Sequence, residues 1–320
     1  MPKVSVIVPL YNKAPYIDRC LDAILGQSFA DFEAIVVNDG STDGGEARVQ
    51  QRSQQDARIR LVAQSNAGPG AARNHGARLA QGPLLAFLDS DDAWHQDYLK
   101  ESVAWMDRIG PEVATLTWGM MLYPGGRSTE QAWKTLEIPQ GVWRATPATP
   151  ARIIVAMLAN MLPSSTVARK SIFDQLHGYY ERDRCVYSED AYLYLNILLR
   201  FSAAFDHRPL TIRYEDASEL ARNLKGVRPI EPFLTDPDDL ERGCPEPMRP
   251  LLREVLSARA LKTASVYGYW GRPLQARELV RRFVSARDWR RPYFLTALLG
   301  CTPVGGWAGW LARAASRHQG

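Results

Sequence analysis

The hydrophobic pattern of the first hundred residues switches between two periods. Short, largely apolar runs at Val4–Leu10, 32–37, Ile59–Ala63 and 84–88 have the length of strands buried on both faces. Between them, 16–27 carries Ile17, Cys20, Leu21, Ile24 and Leu25 at helical spacing. A polar helix then runs to about residue 55, and another covers 69–80. Strand alternating with helix predicts an α/β chain with a mostly parallel central sheet covered on both faces. After residue 110 the pattern loosens. Val113–Tyr123 reads as a strand, 124–150, rich in Gly, Pro and Trp, as a long loop or lid, 152–162 as a short helix, and 164–169 as a strand. The stretch 188–201 is apolar nearly all round beyond an acidic first turn, which predicts a buried helix. From about Pro245 the pattern is helical, with Leu251, Leu252, Val255 and Leu256 in one segment and Leu274, Leu279, Val280 and Phe283 in another. The expected division is a main domain at 1–220, with halves 1–110 and 111–220, and a helical appendage at 221–320.

Composition changes this picture only locally. A chain of 320 residues, 46% apolar and 23% charged, can bury a large core. The net charge of +4 is unevenly placed: Arg272, Arg277, Arg281, Arg282, Arg287, Arg290 and Arg291 share one stretch with only Glu278 and Asp288 as acids. With Trp289, Trp307 and Trp310 nearby, the segment 272–317 suits either an anionic membrane surface or a packed appendage with a solvated arginine face. No nucleic-acid motif accompanies these arginines. Four scattered cysteines, Cys20, Cys185, Cys244 and Cys301, form neither a disulfide framework nor a metal-ligand set, which fits a reducing cytoplasm. The chain enters its first strand without a leader pattern, and no run approaches the roughly 20 apolar residues of a membrane-spanning helix.

In open α/β sheets, ligands sit beyond the carboxyl ends of the strands. Three such turns are polar here: Tyr11 and Asn12, 38–43, and 89–92. In LAFLDSDDAW (85–94) an apolar strand delivers Asp89, Asp91 and Asp92 into a turn, where packing gives no reason for three carboxylates to cluster. Hard oxygens suit Mg²⁺ or Mn²⁺ shared with substrate phosphates, although a solvated turn capping a helix near Gln96 is the plainer account. In NDGSTD (38–43), Asp39 can accept hydrogen bonds from a base or ribose, while Ser41 or Asp43 can cap the next helix. NAGPGAARNHG (66–76) offers backbone N–H groups and Arg73 to an anionic nucleotide, or simply caps its helix. Glu189 and Asp190 open the buried helix and point in different directions, so one can face a cleft while the other holds the helix terminus. His207 reads as a core or surface histidine rather than a ligand or base, since nothing near it completes a metal set.

Taken together, VSVIVPLYN (4–12), FEAIVVNDGSTD (32–43), NAGPGAARNHG (66–76), LAFLDSDD (85–92) and GYYERDRCVYSED (178–190) resemble the family 2 glycosyltransferases, inverting enzymes of the Rossmann-like GT-A fold. The resemblance covers about 1–220 and rests on the order and strand-end placement of the motifs. It implies nucleotide contacts from Pro9, Tyr11, Asp39 and Arg73, with Asp39 near the base. It further implies a ribose contact from Asp89, an Mn²⁺ or Mg²⁺ ligand at Asp91, and a catalytic base at Asp190 with Glu189 beside it toward the acceptor. The implied donor is a nucleotide-diphosphate sugar, a UDP-sugar above others, and the implied acceptor is a saccharide or lipid-linked saccharide of a bacterial surface polymer. Asn38 stands where an acid is common, and Arg213–Tyr214 reverses the usual order. A nucleotidyltransferase would want a glycine-rich basic loop after the first strand, where this chain has PLYNKAP. A dehalogenase-like phosphatase would place its Asp-x-Asp after the first strand rather than the fourth. A degenerate binding module would have no use for both Asp91 and Asp190.

Overall fold

The computed structural model describes residues 1–217, 227–302 and 304–307. Each early apolar run is a strand: β1 (Val4–Leu10), β2 (Phe32–Asn38), β3 (Ile59–Ala63) and β4 (Leu84–Phe87). They pair in parallel in the order β3-β2-β1-β4 and are joined by α1 (Ile17–Leu25), α2 (Gly45–Gln55) and α3 (Pro69–Leu79). The strand period of two sorts the side chains between faces. Val4, Val6, Val8 and Leu10 join Ile17, Leu21 and Ile24 of α1 and Val49 of α2 in one core. Ile7 points the other way, where α3 lies so close that a Cβ on Gly76 would fall 2.5 Å from Ile7 Cγ2.

Beyond β4 the sheet becomes mixed. The strand β9 (Thr166–Arg169) runs antiparallel between β4 and β6 (Val113–Tyr123). Next, β10 (Ser202–Tyr214) lies parallel to β6, and β5 (Ala93–Trp94) runs antiparallel along β10. The helices here are α4 (Tyr98–Arg108), α5 (Glu130–Thr135), α6 (Ala151–Asn160), α7 (Lys170–Gln175) and α8 (Glu189–Arg200). The expected lid at 124–150 is instead part of the sheet edge: β7 (Arg127–Ser128) pairs with β6, and β8 (Gly141–Trp143) with β10. Its anchor is Trp133 of α5, fully buried, with its indole N–H donated to Asn160 Oδ1 at 3.0 Å. His207 packs edge-on to that indole at 5.4 Å, with Nε2 3.1 Å from the carbonyl oxygens of Ile138 and Pro139. It is a core histidine.

The chain divides into two compact units, 1–145 with 156–222 and 146–155 with 223–320. The expected boundary at 220 and 221 lies outside the described residues. The second unit is helical, with α9 (Pro232–Thr235), α10 (Asp238–Gly243), α11 (Arg249–Tyr269), α12 (Pro273–Phe283) and α13 (Phe294–Gly300). Leu251, Leu252, Val255 and Leu256 are buried as their spacing predicts, whereas Leu274 is exposed. Inside this unit Glu231 accepts from Arg259 Nη2 at 2.7 Å and from Thr263 Oγ1 at 2.9 Å, tying the start of α9 to α11. Helix α13 is packed with small residues inward: Ala297 and Gly300 are buried, and a Cβ on Gly268 of α11 would fall 2.1 Å from Gly300 Cα. Trp310 and the arginines at 313 and 317 lie outside the described residues. None of the four cysteines is in a disulfide. Among the described residues no helix is long and apolar enough to cross a membrane.

Candidate active site

The turns at the carboxyl ends of β1, β2 and β4 are cross-linked by their own polar side chains. Asn12, in the left-handed region at φ 50, donates its N–H to Ser41 Oγ at 3.1 Å and accepts from Thr42 N at 2.9 Å through Oδ1. Asp43 accepts from Ala14 N at 2.7 Å and caps α2 through Gly45 N at 3.0 Å. Asn38 holds Ser41 N at 2.9 Å and reaches Glu46 Oε2 at 2.9 Å, so an amide serves where an acid is common. Tyr11 is left exposed and Pro9 half-buried on the rim of this frame.

Asp39 is buried, and its two oxygens accept from Gln64 Nε2 (2.8 Å), Ala67 N (2.8 Å) and Gly68 N (2.9 Å). The backbone N–H groups that the sequence offered to an anionic nucleotide therefore meet the protein's own carboxylate. Of the roughly four acceptor positions on a carboxylate, one is left for another donor. The glycines of this loop serve close approach: a Cβ on Gly68, at φ +96, would fall 2.8 Å from Cys185 O, and one on Gly70 2.6 Å from Tyr180 O. Asn74 completes the junction, donating to Tyr179 O and Glu181 Oε2 and accepting from Tyr179 N.

Arg73 is 4% exposed and faces inward, between acids of two distant segments. Its Nη2 lies 2.6 Å from Asp89 Oδ1 after β4, and its Nη1 2.8 Å from Glu189 Oε1 at the start of α8. Burial opposes its charge, but Asp89 and Glu189 outweigh that and hold the guanidinium above its ordinary value. Arg73, expected as a nucleotide contact, joins the two acids here, and Glu189, expected beside the base toward the acceptor, is its buried partner. Arg73 Nε remains buried without a hydrogen-bond partner.

The three aspartates after β4 separate by direction. Asp92 does have a packing reason: buried, it accepts from Ser164 Oγ at 2.8 Å and Tyr214 N at 3.3 Å, pinning the turn to β10. Burial, with Asp89 and Asp91 nearby, pushes its carboxyl up to about 8. Asp89 keeps a third of its side chain exposed, with its backbone N–H on Ser164 Oγ at 3.1 Å. Asp91 Oδ2 meets Lys13 Nζ at 2.9 Å. Burial and then the charge of Asp89 raise the Asp91 carboxyl, with Lys13 opposing. Among the described residues no group of three or more His, Cys, Asp or Glu is arranged to enclose a metal. The residues present fit a different coordination: a hard carboxylate that needs positive charge, offering one ligand to a cation whose other ligands come from substrate and water. Two contacts of Arg19 that sequence reasoning missed brace this turn: it stacks on the Tyr214 ring at 3.4 Å and donates to Asp91 O at 2.7 Å. The Arg213–Tyr214 pair at the end of β10 was the signal that could have found them.

Asp190 opens α8 beside Glu189, following Ser188 in the left-handed region at φ 57. A non-glycine residue held there is a local strain that the surrounding contacts must maintain. Asp190 is half-buried, and Oδ1 accepts from Ala191 N at 2.7 Å. Burial, then the adjacent Glu189 charge, pushes its carboxyl up to about 7 against the pull of Arg73. The two acids thus have different environments, as their spacing predicted.

Residues 5–141 match the family described as Glycosyl transferase family 2. The uncharacterized glycosyltransferase EpsJ of Bacillus subtilis (strain 168) is 44% identical over 92 residues, which are 29% of this chain and 27% of EpsJ. The chain spans less than half the length of the curated relatives it matches. Two solved structures share the fold. S. aureus TarS 1–349 in complex with UDP-GlcNAc aligns with a TM-score of 0.70 at 18% identity, covering 95% of this chain and 89% of that one. The mannosyltransferase PcManGT from Pyrobaculum calidifontis in complex with GDP-Man and Mn²⁺ aligns at 0.57 and 19% identity, covering 97% and 87%. The matched segment holds the turns after β1, β2, β3 and β4, so residues 5–141 are similar to Glycosyl transferase family 2, and the sheet with its flanking helices is the fold of the GT-A glycosyltransferase structures.

Proposed function

We propose that this chain transfers a sugar from a nucleotide-diphosphate sugar to an acceptor hydroxyl, with inversion at the anomeric carbon. The observation that carries the reading is the double ion pair of Arg73, which ties the turn bearing Asp91 to the helix start bearing Asp190. Asp91 is then the protein's ligand to Mn²⁺ or Mg²⁺, and Asp190 the base. A divalent cation shared with the diphosphate would supply Lewis-acid stabilisation of the leaving group. Asp190, with a carboxyl near neutrality, takes the proton of the acceptor hydroxyl as its oxygen bonds to the anomeric carbon and the bond to the diphosphate breaks. Arg73 and Glu189 act as positioning residues. Tyr11, Pro9 and the remaining acceptor position of Asp39 are the contacts for the nucleotide, and Asp89 for the ribose. UDP is the nucleotide we favour, on the solved complex of TarS.

The proposed acceptor is a saccharide or lipid-linked saccharide of a bacterial surface polymer, met at the cytoplasmic face of the membrane. Support comes from α13, whose polarity is inverted: Ala297 is buried while Leu295 is 77% exposed and Leu298 and Leu299 are also exposed. The turn Ala286–Arg290, which touches α13, adds exposed Trp289, Arg287 and Arg290. Large apolar side chains beside arginines suit an anionic lipid interface.

The metal reading is tested by Asp91→Ala in calorimetric titrations of UDP and GDP with and without Mn²⁺. The expected outcome is loss of the Mn²⁺-dependent part of nucleotide affinity together with loss of transfer. Unchanged metal-dependent affinity would remove Asp91 from the metal.

A further inference from the structure

Asp91 is the acid assigned to the cation, yet its carboxylate already has a cationic partner. Lys13, in the turn after β1, places Nζ 2.9 Å from Asp91 Oδ2 and 3.0 Å from the carbonyl oxygen of Ala217. The two side chains are only 15% and 14% exposed. Neighbouring arginines are engaged elsewhere: Arg73 on Asp89 and Glu189, and Arg19 on the backbone carbonyl of Asp91 and the ring of Tyr214. Among the described residues, Lys13 is therefore the cation on this carboxylate.

An ammonium and a divalent ion that share one carboxylate oxygen at contact distance repel each other, so each disfavours the other there. The like charges would sit about 4 Å apart in a partly desolvated turn, where their repulsion is worth several-fold more than in water. Lysine is suited to giving way, because its charge is compact and rides on a flexible four-carbon stem with three donors. A diphosphate brings the two things needed for the exchange. Its oxygens offer the ammonium a new charge-assisted partner, and they supply the remaining ligands of a hard cation.

We propose that Lys13 is a competing cation: it closes Asp91 to a free divalent metal and yields it when a nucleotide diphosphate arrives, so that metal and nucleotide bind as a unit. This rests on the reading of Asp91 as metal ligand. By linkage, the diphosphate then raises metal affinity by the same factor that the metal raises diphosphate affinity. Removing the ammonium weakens that coupling from the metal side.

The test is Mn²⁺ binding, read from the paramagnetic resonance of free Mn²⁺, for the full chain and for Lys13→Met, Lys13→Gln and Lys13→Arg, each with and without UDP or GDP. In the absence of nucleotide, Lys13→Met and Lys13→Gln should bind Mn²⁺ at least about tenfold more tightly than the unaltered protein, a difference of about 1.4 kcal/mol. The enhancement of Mn²⁺ affinity by the nucleotide should shrink by a similar factor. Lys13→Arg, which keeps the charge, should still exclude free metal. Gln can retain a hydrogen bond to the Ala217 carbonyl, so it carries the test if Met lowers the melting temperature. Equal Mn²⁺ affinity in the Gln variant and the unaltered protein overturns the proposal. Failure of the unaltered protein to bind Mn²⁺ even with either nucleotide overturns the metal reading of Asp91 itself.

Discussion

At Asp190 the local electrostatics set a pH dependence whose sign can be worked out. Burial and Glu189 raise its carboxyl from 3.8 to about 7, so the base is protonated below that value and ionised above it. Accordingly kcat/KM should climb about tenfold per pH unit up to about 7 and then level. Asp190→Asn should lower turnover by about two to four orders of magnitude and abolish that limb, with nucleotide binding intact. The amide oxygen can still accept from Ala191 N, so thermal unfolding should change little. An unchanged acidic limb in this variant would assign the proton to another group. Glu189→Gln should move the limb to lower pH. It deletes the neighbouring negative charge that helps raise Asp190 and leaves Arg73 facing fewer carboxylates. The same shift has a consequence for stability. The folded chain holds this proton more tightly than the unfolded one, so the contribution is present at low pH and is lost as pH rises from 3.8 to about 7.

Loops and strands follow different rules of legibility, and the loop over 64–68 shows why. Its conformation depends on Asp39, whose oxygens bind three N–H donors. Asp39→Ala leaves the amides of Ala67 and Gly68 without their acceptor, each costing about 1–3 kcal/mol if buried. Denaturant unfolding should register a loss of about 2–4 kcal/mol, with a smaller loss for Asp39→Asn. Stability unchanged in the Ala variant would mean that the loop is held by its glycine contacts alone. Sequence showed Asp39 as polar and exceptional but not which way it pointed, because its partners are backbone groups. Likewise Asp92 was grouped with its neighbours because its partners, Ser164 and Tyr214, lie 72 and 122 residues away. The parallel strands β1 to β4 were readable because burial on both faces leaves largely apolar runs. By contrast, β10 was not, since His207, Arg208 and Pro209 interrupt its alternation and its register against β6 shifts there. Segment 124–150 was misread for a related reason. Elements of two to six residues carry no measurable period, and only the burial of Trp133 reveals that they are packed.

At the scale of the whole chain, the mild net charge of +4 conceals a local surface that behaves unlike the rest. In an ordinary soluble helix the large apolar residues face inward, whereas α13 buries Ala297 and Gly300 and turns Leu295, Leu298 and Leu299 outward. Close packing of Gly300 on Gly268 explains how such a helix can be held, since without side chains the two backbones meet directly. Trp289 and Trp307 are exposed nearby in sequence, and the Arg290 guanidinium lies 4.6 Å from the Trp289 ring centre. If this surface meets lipid, two contributions should separate experimentally. Leu295→Asp with Leu298→Asp removes apolar insertion and should abolish sedimentation with vesicles containing phosphatidylglycerol at any salt concentration. Arg287→Glu with Arg290→Glu removes about 1 kcal/mol of attraction per cation. It should weaken sedimentation by about tenfold or more at low salt, with a difference that fades as salt screens the surface. Nucleotide binding should persist in both pairs, because none of the four residues belongs to the strand-end turns of the first unit. Sedimentation of the unaltered protein that is equal for neutral and anionic vesicles would exclude the electrostatic part. Concentration-dependent dimers lost on Leu295→Asp with Leu298→Asp, without any vesicle binding by the unaltered protein, would assign the surface to a second copy of the chain.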